Sequence, residues 1–307
     1  MYKVKVPLVL SVGLTALLTG VAAPAQARQP AAGTAVAVAA APGHAVPGTA
    51  AHSVPEVYAR AAYLLDAATG EELYGKAGTE RMPVASLTKV MTAYLVLRQA
   101  KLTDTVVIDP ADVRYANAGG GTTAGLRAGD RLTVEDLLYA LMLPSGADAA
   151  HALARVYGPG VEAFTKRMND TARELGLTDT TYLNADGLPT PEGQNTSTAR
   201  DQARLAEIAL RDPRLKKITS TQVHTVARTA DHAAYTWRNT NRLLGAPGVI
   251  GVKTGFTLAA GFCLAFAAER DGRLVVGVIL GETVSARRYT TARALLDWAA
   301  ERAPAAR

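Results

Sequence analysis

Met82-Pro-Val-Ala-Ser-Leu-Thr-Lys-Val-Met-Thr-Ala-Tyr-Leu-Val-Leu97 is the stretch on which the reading of this chain turns. Ser86 and Lys89 stand three residues apart, and apolar residues follow at Leu87, Val90, Met91, Tyr94 and Leu95, which is helical spacing. Positions i and i+3 share a helix face, so the Lys89 amine can reach the Ser86 hydroxyl. Pro83 suits a chain turning into a helix and puts Ser86 near the helix start. Unpaired amides and the positive dipole end favour a developing anion there. A serine beside a base in that setting is an activated nucleophile. A helix-capping Ser86 with a solvated Lys89 has the same spacing, so this stretch alone leaves both readings open.

Upstream, residues 1–27 have the layout of a secretory signal peptide. Lys3 and Lys5 give a positive start, Leu8 to Ala23 is mostly apolar, and Ala25-Gln26-Ala27 has the form of a cleavage site. The apolar run is short for a membrane span, so no stable span is expected after cleavage. Loss of Lys3 and Lys5 lowers the formal charge from +6 to about +4. That excess is too small and too scattered for nucleic acid, and no dense Lys/Arg run occurs. Residues 28–54 are mostly Ala, Pro, Gly and Val, and read as a flexible linker. A folded domain is expected over 55–307, long enough for one catalytic unit of one or two lobes.

The single cysteine, Cys263, lies in the apolar run Gly261 to Ala268 and reads as a buried small hydrophobe. None of the five histidines forms a metal-spaced pair with another histidine or with Cys263, so neither metal nor cofactor is expected. Gly119 to Thr123 is a loop without a phosphate-loop ending.

Ala61 to Asp66 and Leu73-Tyr74 read as a hairpin around Thr69-Gly70, and Thr105 to Ile108 as a short strand. Helices are expected over Val134 to Leu141 with Thr133 as cap, Asp148 to Val156, Val161 to Leu175, and Thr198 to Arg211. Gly248 to Lys253, Gly261 to Glu269 and Arg273 to Gly281 read as strands, and Ala286 to Arg302 as a terminal helix. Strands open and close the folded part and helices fill its middle. The expected class is therefore α+β, an antiparallel sheet built from both ends of the chain with an inserted helical lobe.

Lys253-Thr254-Gly255 is placed by this reading at the end of a strand. A cation and a hydroxyl there suit a carboxylate, and Gly255 would let a ligand approach the backbone. Pro144-Ser145-Gly146-Ala147-Asp148 lies between two helices, where Ser145 either faces a cleft or caps the following helix.

In their order, Ser-x-x-Lys, Ser-Gly-x and Lys-Thr-Gly, the chain resembles the penicillin-recognising serine enzymes. More narrowly it is similar to the D-alanyl-D-alanine carboxypeptidases, the low-molecular-weight penicillin-binding proteins. The resemblance covers about residues 57–299. Beside the three motifs it is carried by Asp186-Gly-Leu188, Ser197-Thr-Ala-Arg-Asp201, Ala260-Gly-Phe-Cys263 and Leu295-Leu-Asp-Trp298. It implies the β-lactamase/transpeptidase-like fold, and Ser86 as nucleophile with Lys89 as its base. Burial and the charge of Lys253 would lower the Lys89 pKa. Ser145 would relay a proton to the leaving D-alanine. Lys253 and Thr254 would hold the substrate carboxylate, the amides of Ser86 and Phe256 would form the oxyanion hole, and Arg288, with Arg287 as the competing assignment, would lie near the carboxylate. Substrates would be peptidoglycan stem peptides ending in D-Ala-D-Ala outside the cytoplasm, and β-lactams would acylate the same serine.

The family's central motif usually reads Ser-x-Asn, whereas Ala147 stands third here. That departure keeps a second reading open, a weakly active or non-catalytic muropeptide- or β-lactam-binding protein. A β-lactamase is disfavoured because no Glu-x-x-Leu-Asn segment offers a deacylating base.

Overall fold

The computed structural model describes residues 53–302. The expected signal peptide over 1–27, and the Ala/Pro-rich stretch up to residue 52, lie outside the described residues.

The chain enters the sheet with β1 (Ala61–Asp66) and β2 (Glu72–Lys76), then passes through β3 (Met82–Pro83) and a 3₁₀ turn (Ala85–Thr88) into α1 (Lys89–Leu97). The middle comprises β4 (Thr105–Val107), α2 (Pro110–Ala118), β5 (Arg131–Thr133), α3 (Val134–Met142), α4 (Ala147–Tyr157) and α5 (Val161–Glu174). After β6 (Thr196–Ser197), α6 (Ala199–Leu210) and α7 (Pro213–Ser220) comes the hairpin β7 (Val223–Val226) and β8 (Tyr235–Arg238). The chain returns to the sheet as β9 (Val249–Thr257), β10 (Gly261–Arg270) and β11 (Arg273–Glu282), and ends on α8 (Arg287–Ala300).

The five-stranded sheet has the order β2-β1-β11-β10-β9, antiparallel throughout, so the first strand pairs with the last. The reason is visible in the side chains. Every residue of β1 is buried, which requires cover on both faces. Period-two alternation sends Ala62 and Leu64 to one face, with Leu264, Phe266 and Ile279, against Leu295 and Trp298 of α8. Ala61, Tyr63 and Leu65 point the other way with Cys263, Ala265 and Val278, and join the helical core. Burial also pushes the Cys263 thiol up to about 11, in keeping with a small hydrophobe in a strand.

Helix α1 is buried almost all round, Val90, Met91, Ala93, Leu95, Val96 and Leu97 included, as expected for an element with neighbours on every side. Thr133 caps α3 and Thr198 caps α6 through bonds to Asp136 N–H and Asp201 N–H. Two helices were not anticipated, α2 and α7. Each starts with Asp-Pro, Asp109-Pro110 and Asp212-Pro213, the aspartate capping and the proline in the first turn. The apolar patterning of α2 is weak, with only Asp112 and Ala116 buried, and α7 spans only eight residues, too few for its period to stand out.

Two placements need correction. The three residues Lys253, Thr254 and Gly255 lie inside β9, not at its end, because Ala265, Leu264 and Cys263 of β10 pair with them in register. Ser86 sits in the 3₁₀ turn before α1 rather than on the α-helix itself, and makes no capping bond.

Candidate active site

The backbone around Ser86 is held by two close approaches. Ala85 has φ +48, a conformation that costs a side-chain-bearing residue energy and needs support. Gly187, at φ +87, supplies it: a Cβ there would stand 1.9 Å from the Ala85 carbonyl oxygen and 3.0 Å from the Ser86 nitrogen. Gly255 closes from the other side, where a Cβ would lie 3.1 Å from Val84 O and 3.2 Å from Ser86 N. On this side Gly255 therefore admits the protein's own backbone. The Ser86 amide is one of the first of its 3₁₀ turn, which have no partner inside the turn.

Lys89 opens α1, and its Nζ donates to Ser86 Oγ at 3.0 Å and to the Asp186 carbonyl at 2.7 Å. The side chain is 1% exposed, and burial pushes its pKa down to about 8 against the pull of the Asp186 and Asp148 carboxylates. The expected lowering by Lys253 takes a different form. Repulsion between two ammonium groups is mutual, and the group without a counter-charge yields first. Lys253 is held well below its ordinary range by burial, then by Lys89 and Arg288, with no carboxylate opposing them. Asp148 also ties down the loop over the site, accepting from Ala124 N–H at 2.9 Å and Leu126 N–H at 3.1 Å.

On β9, Lys253 Nζ donates to the Thr254 carbonyl at 3.1 Å, and Thr254 Oγ1 bonds Thr240 Oγ1 at 2.7 Å. Arg288 reaches in from α8, its Nη1 donating to Gly255 O at 3.2 Å and Cys263 O at 3.1 Å. Its Nε is buried without a partner. Arg287 turns away to pair with Glu282 at 2.7 Å, so of the two arginines it is Arg288 that lies at this strand. Phe256 is half exposed and stacks on Phe262, ring centroids 4.5 Å apart.

Ser145 is nearly buried, has φ +72, and its hydroxyl bonds no described residue. Its conformation is that of a turn apex, and Gly146 rather than Ser145 occupies the cap position of α4. Ala147 is 1% exposed and donates its N–H to Thr122 O at 2.8 Å; a Cβ on Gly121 would lie 3.2 Å from its own. Among the described residues no group of three His, Cys, Asp or Glu side chains could hold a metal ion.

A serine and a buried lysine of lowered pKa at hydrogen-bond distance, facing a second lysine on a sheet edge, make up the core of a serine acyltransferase site. The sequence profile of one family, peptidase S11, described as D-alanyl-D-alanine carboxypeptidase, matches residues 48–284. The chain belongs to the peptidase S11 family.

Within the family it is similar to the D-alanyl-D-alanine carboxypeptidase of Streptomyces sp. strain K15, 39% identical over 83% of this chain and 91% of that one. The carboxypeptidase DacF of Bacillus subtilis strain 168 is 34% identical over 78% of this chain, which spans 62% of the Bacillus protein's length. A crystal structure of the Streptomyces K15 DD-transpeptidase superposes with a TM-score of 0.76 at 37% identity, covering 80% of this chain and 98% of that one. Family and structural likeness together establish the transpeptidase-like α+β fold and a serine D-alanyl-D-alanine carboxypeptidase.

Three contributors to this S11 site were not singled out from the sequence. Thr240 links Leu143, next to the Ser145 loop, to Thr254, donating at 3.3 Å to the Leu143 carbonyl. Asp148 and Asp186 set the field at Lys89. Asp148 and Asp186 stood within quoted motifs, whereas nothing around Thr240 distinguishes it from other loop threonines.

Proposed function

We propose that this S11 enzyme removes the terminal D-alanine from peptidoglycan stem peptides through an ester on Ser86. The observation that carries the reading is the 3.0 Å bond from the buried Lys89 amine to the Ser86 hydroxyl. With its pKa near 8, Lys89 has a useful free-base fraction near neutral pH. In the neutral form it takes the Ser86 proton as Oγ bonds to the penultimate D-Ala carbonyl carbon. The amides of Ser86 and Phe256 receive the developing oxyanion. The C–N bond then breaks, the leaving D-alanine nitrogen takes a proton by way of Ser145, and water hydrolyses the ester with Lys89 again as base.

The substrate's terminal carboxylate would lie against Lys253, Thr254 and Arg288. It brings the counter-charge that Lys253 lacks in the free protein, so binding would return the proton to that lysine. A β-lactam presents its carboxylate and strained carbonyl to the same groups and would acylate Ser86. The N-terminal pattern over 1–27 supports export and action on the wall outside the cytoplasm.

The test is D-alanine release from a pentapeptide ending in D-Ala-D-Ala, alongside turnover of a β-lactam, with Ser86→Ala as control. Release that depends on Ser86 supports the reading. β-Lactam turnover without release makes the protein a β-lactamase, and stoichiometric binding without either makes it a sensor.

A further inference from the structure

Asp186 contributes more to the site than its main-chain carbonyl. It is 1% exposed, and its carboxylate is only half satisfied: Oδ1 accepts from Leu188 N–H at 2.8 Å, while Oδ2 is buried with no hydrogen-bond donor. An uncompensated buried carboxylate oxygen is costly, and proteins keep such groups where the charge is used. Two groups face it. One is Lys89, bonded to the same residue's carbonyl at 2.7 Å. The other is Tyr115 of α2, whose phenol is raised by burial and then by this carboxylate.

Tyr115 is itself held in place. Its ring stacks on His151 of α4 with centroids 4.5 Å apart. His151 Nδ1 lies 2.6 Å from the buried Asp112 carboxylate, which also takes Arg155 at 2.8 Å. A rigid three-layer support thus ends on the phenol, beside the one carboxylate that most strongly favours charge on Lys89.

We propose that Asp186 is a positioning residue for Lys89, its carboxylate fixing how tightly the ammonium holds its proton, and that Tyr115 moderates this effect by donating toward the carboxylate. The inference rests on Lys89 being the base of the proposed reaction. The other charged groups around Lys89 are Asp148 from α4, acting in the same sense as Asp186, and Lys253 from β9, whose own proton is weakened by Lys89 and Arg288. Tyr115 reaches Lys89 only through Asp186.

The sign follows directly. A nearby carboxylate favours the ammonium form, so removing its charge lets Lys89 release its proton at lower pH. Asp186→Asn keeps the shape and the acceptor for Leu188 N–H. Removing the phenol takes away a dipole that offsets the carboxylate's field at Lys89, so Tyr115→Phe acts in the opposite direction.

The experiment is the rate of covalent labelling by a fluorescent penicillin, measured from about pH 5 to about pH 10, the range that brackets the base. The acid limb should move down by about one pH unit in Asp186→Asn, the shift typical of losing one close opposite charge. It should move up in Tyr115→Phe, and the double variant should follow Asp186→Asn alone. A limb unmoved in Asp186→Asn overturns the inference, and a Tyr115→Phe shift that persists in the double variant overturns the role of Tyr115. Should Asp186→Asn label too slowly to follow, the Lys89 amine is titrated directly by NMR in ¹³C-lysine-labelled protein, with the same expected direction. Lys89→Ala separates the two layers. A limb that survives without Lys89 refutes the base assignment, whereas a limb that disappears there but stays fixed in Asp186→Asn refutes only the positioning role.

Discussion

Gly187→Ala is the substitution whose consequence the structure defines most sharply. The residue has φ +87, and the added methyl would stand 1.9 Å from Ala85 O and 2.3 Å from Ala85 C. An ordinary carbon–oxygen contact is about 3.3 Å, so the Ala85–Ser86 backbone must retreat by more than about 1 Å. The left-handed conformation alone costs a non-glycine residue about 1–2 kcal/mol, and forced overpacking a further 1–3 kcal/mol or so. For a domain of this size a loss of about 3 kcal/mol lowers Tm by roughly 6–12 °C. The larger effect falls on chemistry. A displacement of about 1 Å at a reacting group can slow a reaction on the order of a hundredfold. Gly70→Ala is the matched control, since Gly70 has φ +72 and nothing within 4 Å of the added methyl. It should show the conformational cost alone, and normal acylation. The assays are thermal unfolding and the rate of labelling by a fluorescent penicillin. If Gly187→Ala unfolds no earlier than Gly70→Ala and acylates at the wild-type rate, then close backbone contact does not hold Ser86 in place.

Three further outcomes are expected. Wild-type acylation should fall as pH drops through about 8, where Lys89 takes up a proton and ceases to be a base, and Lys89→Ala should slow it by about a hundredfold to ten-thousandfold; a flat pH–rate profile would argue against the lysine. Arg288→Leu should raise KM for carboxylate-bearing substrates, while Arg287→Leu, which loses contacts to Glu282, Thr283 and Tyr58, should leave KM unchanged; steady-state kinetics on both variants decides between them. Ala147→Asn should acylate about tenfold to a hundredfold faster by regaining up to two hydrogen bonds. It should also lose about 1–3 kcal/mol of stability, because Ala147 is packed under Gly121; a folded variant with unchanged acylation shows that the missing amide is already replaced.

The outer strands, α1, α3 to α6 and α8 were legible because their cause is local. The apolar run Ala61 to Leu65 and the caps at Thr133 and Thr198 act within a few residues, and side chains in sequence report them. Ser86 and Lys89 were legible for the same reason, since one turn of backbone brings them together whatever surrounds them. Arg288 could be separated from Arg287 only in three dimensions, because adjacent residues on a helix point about 100° apart and the packing of α8 on the sheet decides which one faces Gly255.

The contacts that tune the site's polar groups were not legible. Thr240 meets Thr254 across fourteen residues of chain, and Asp186 meets Lys89 across ninety-seven. Neither separation leaves a periodic trace. The role of Gly187 likewise depends on a loop that returns to lie on Ala85. The pairing of the proposed nucleophile Ser86 with the proposed base Lys89 is therefore written in the local sequence. The proton affinity of that base and the direction of its hydroxyl partner depend on burial and on charges brought in from distant segments, and only the tertiary fold determines those.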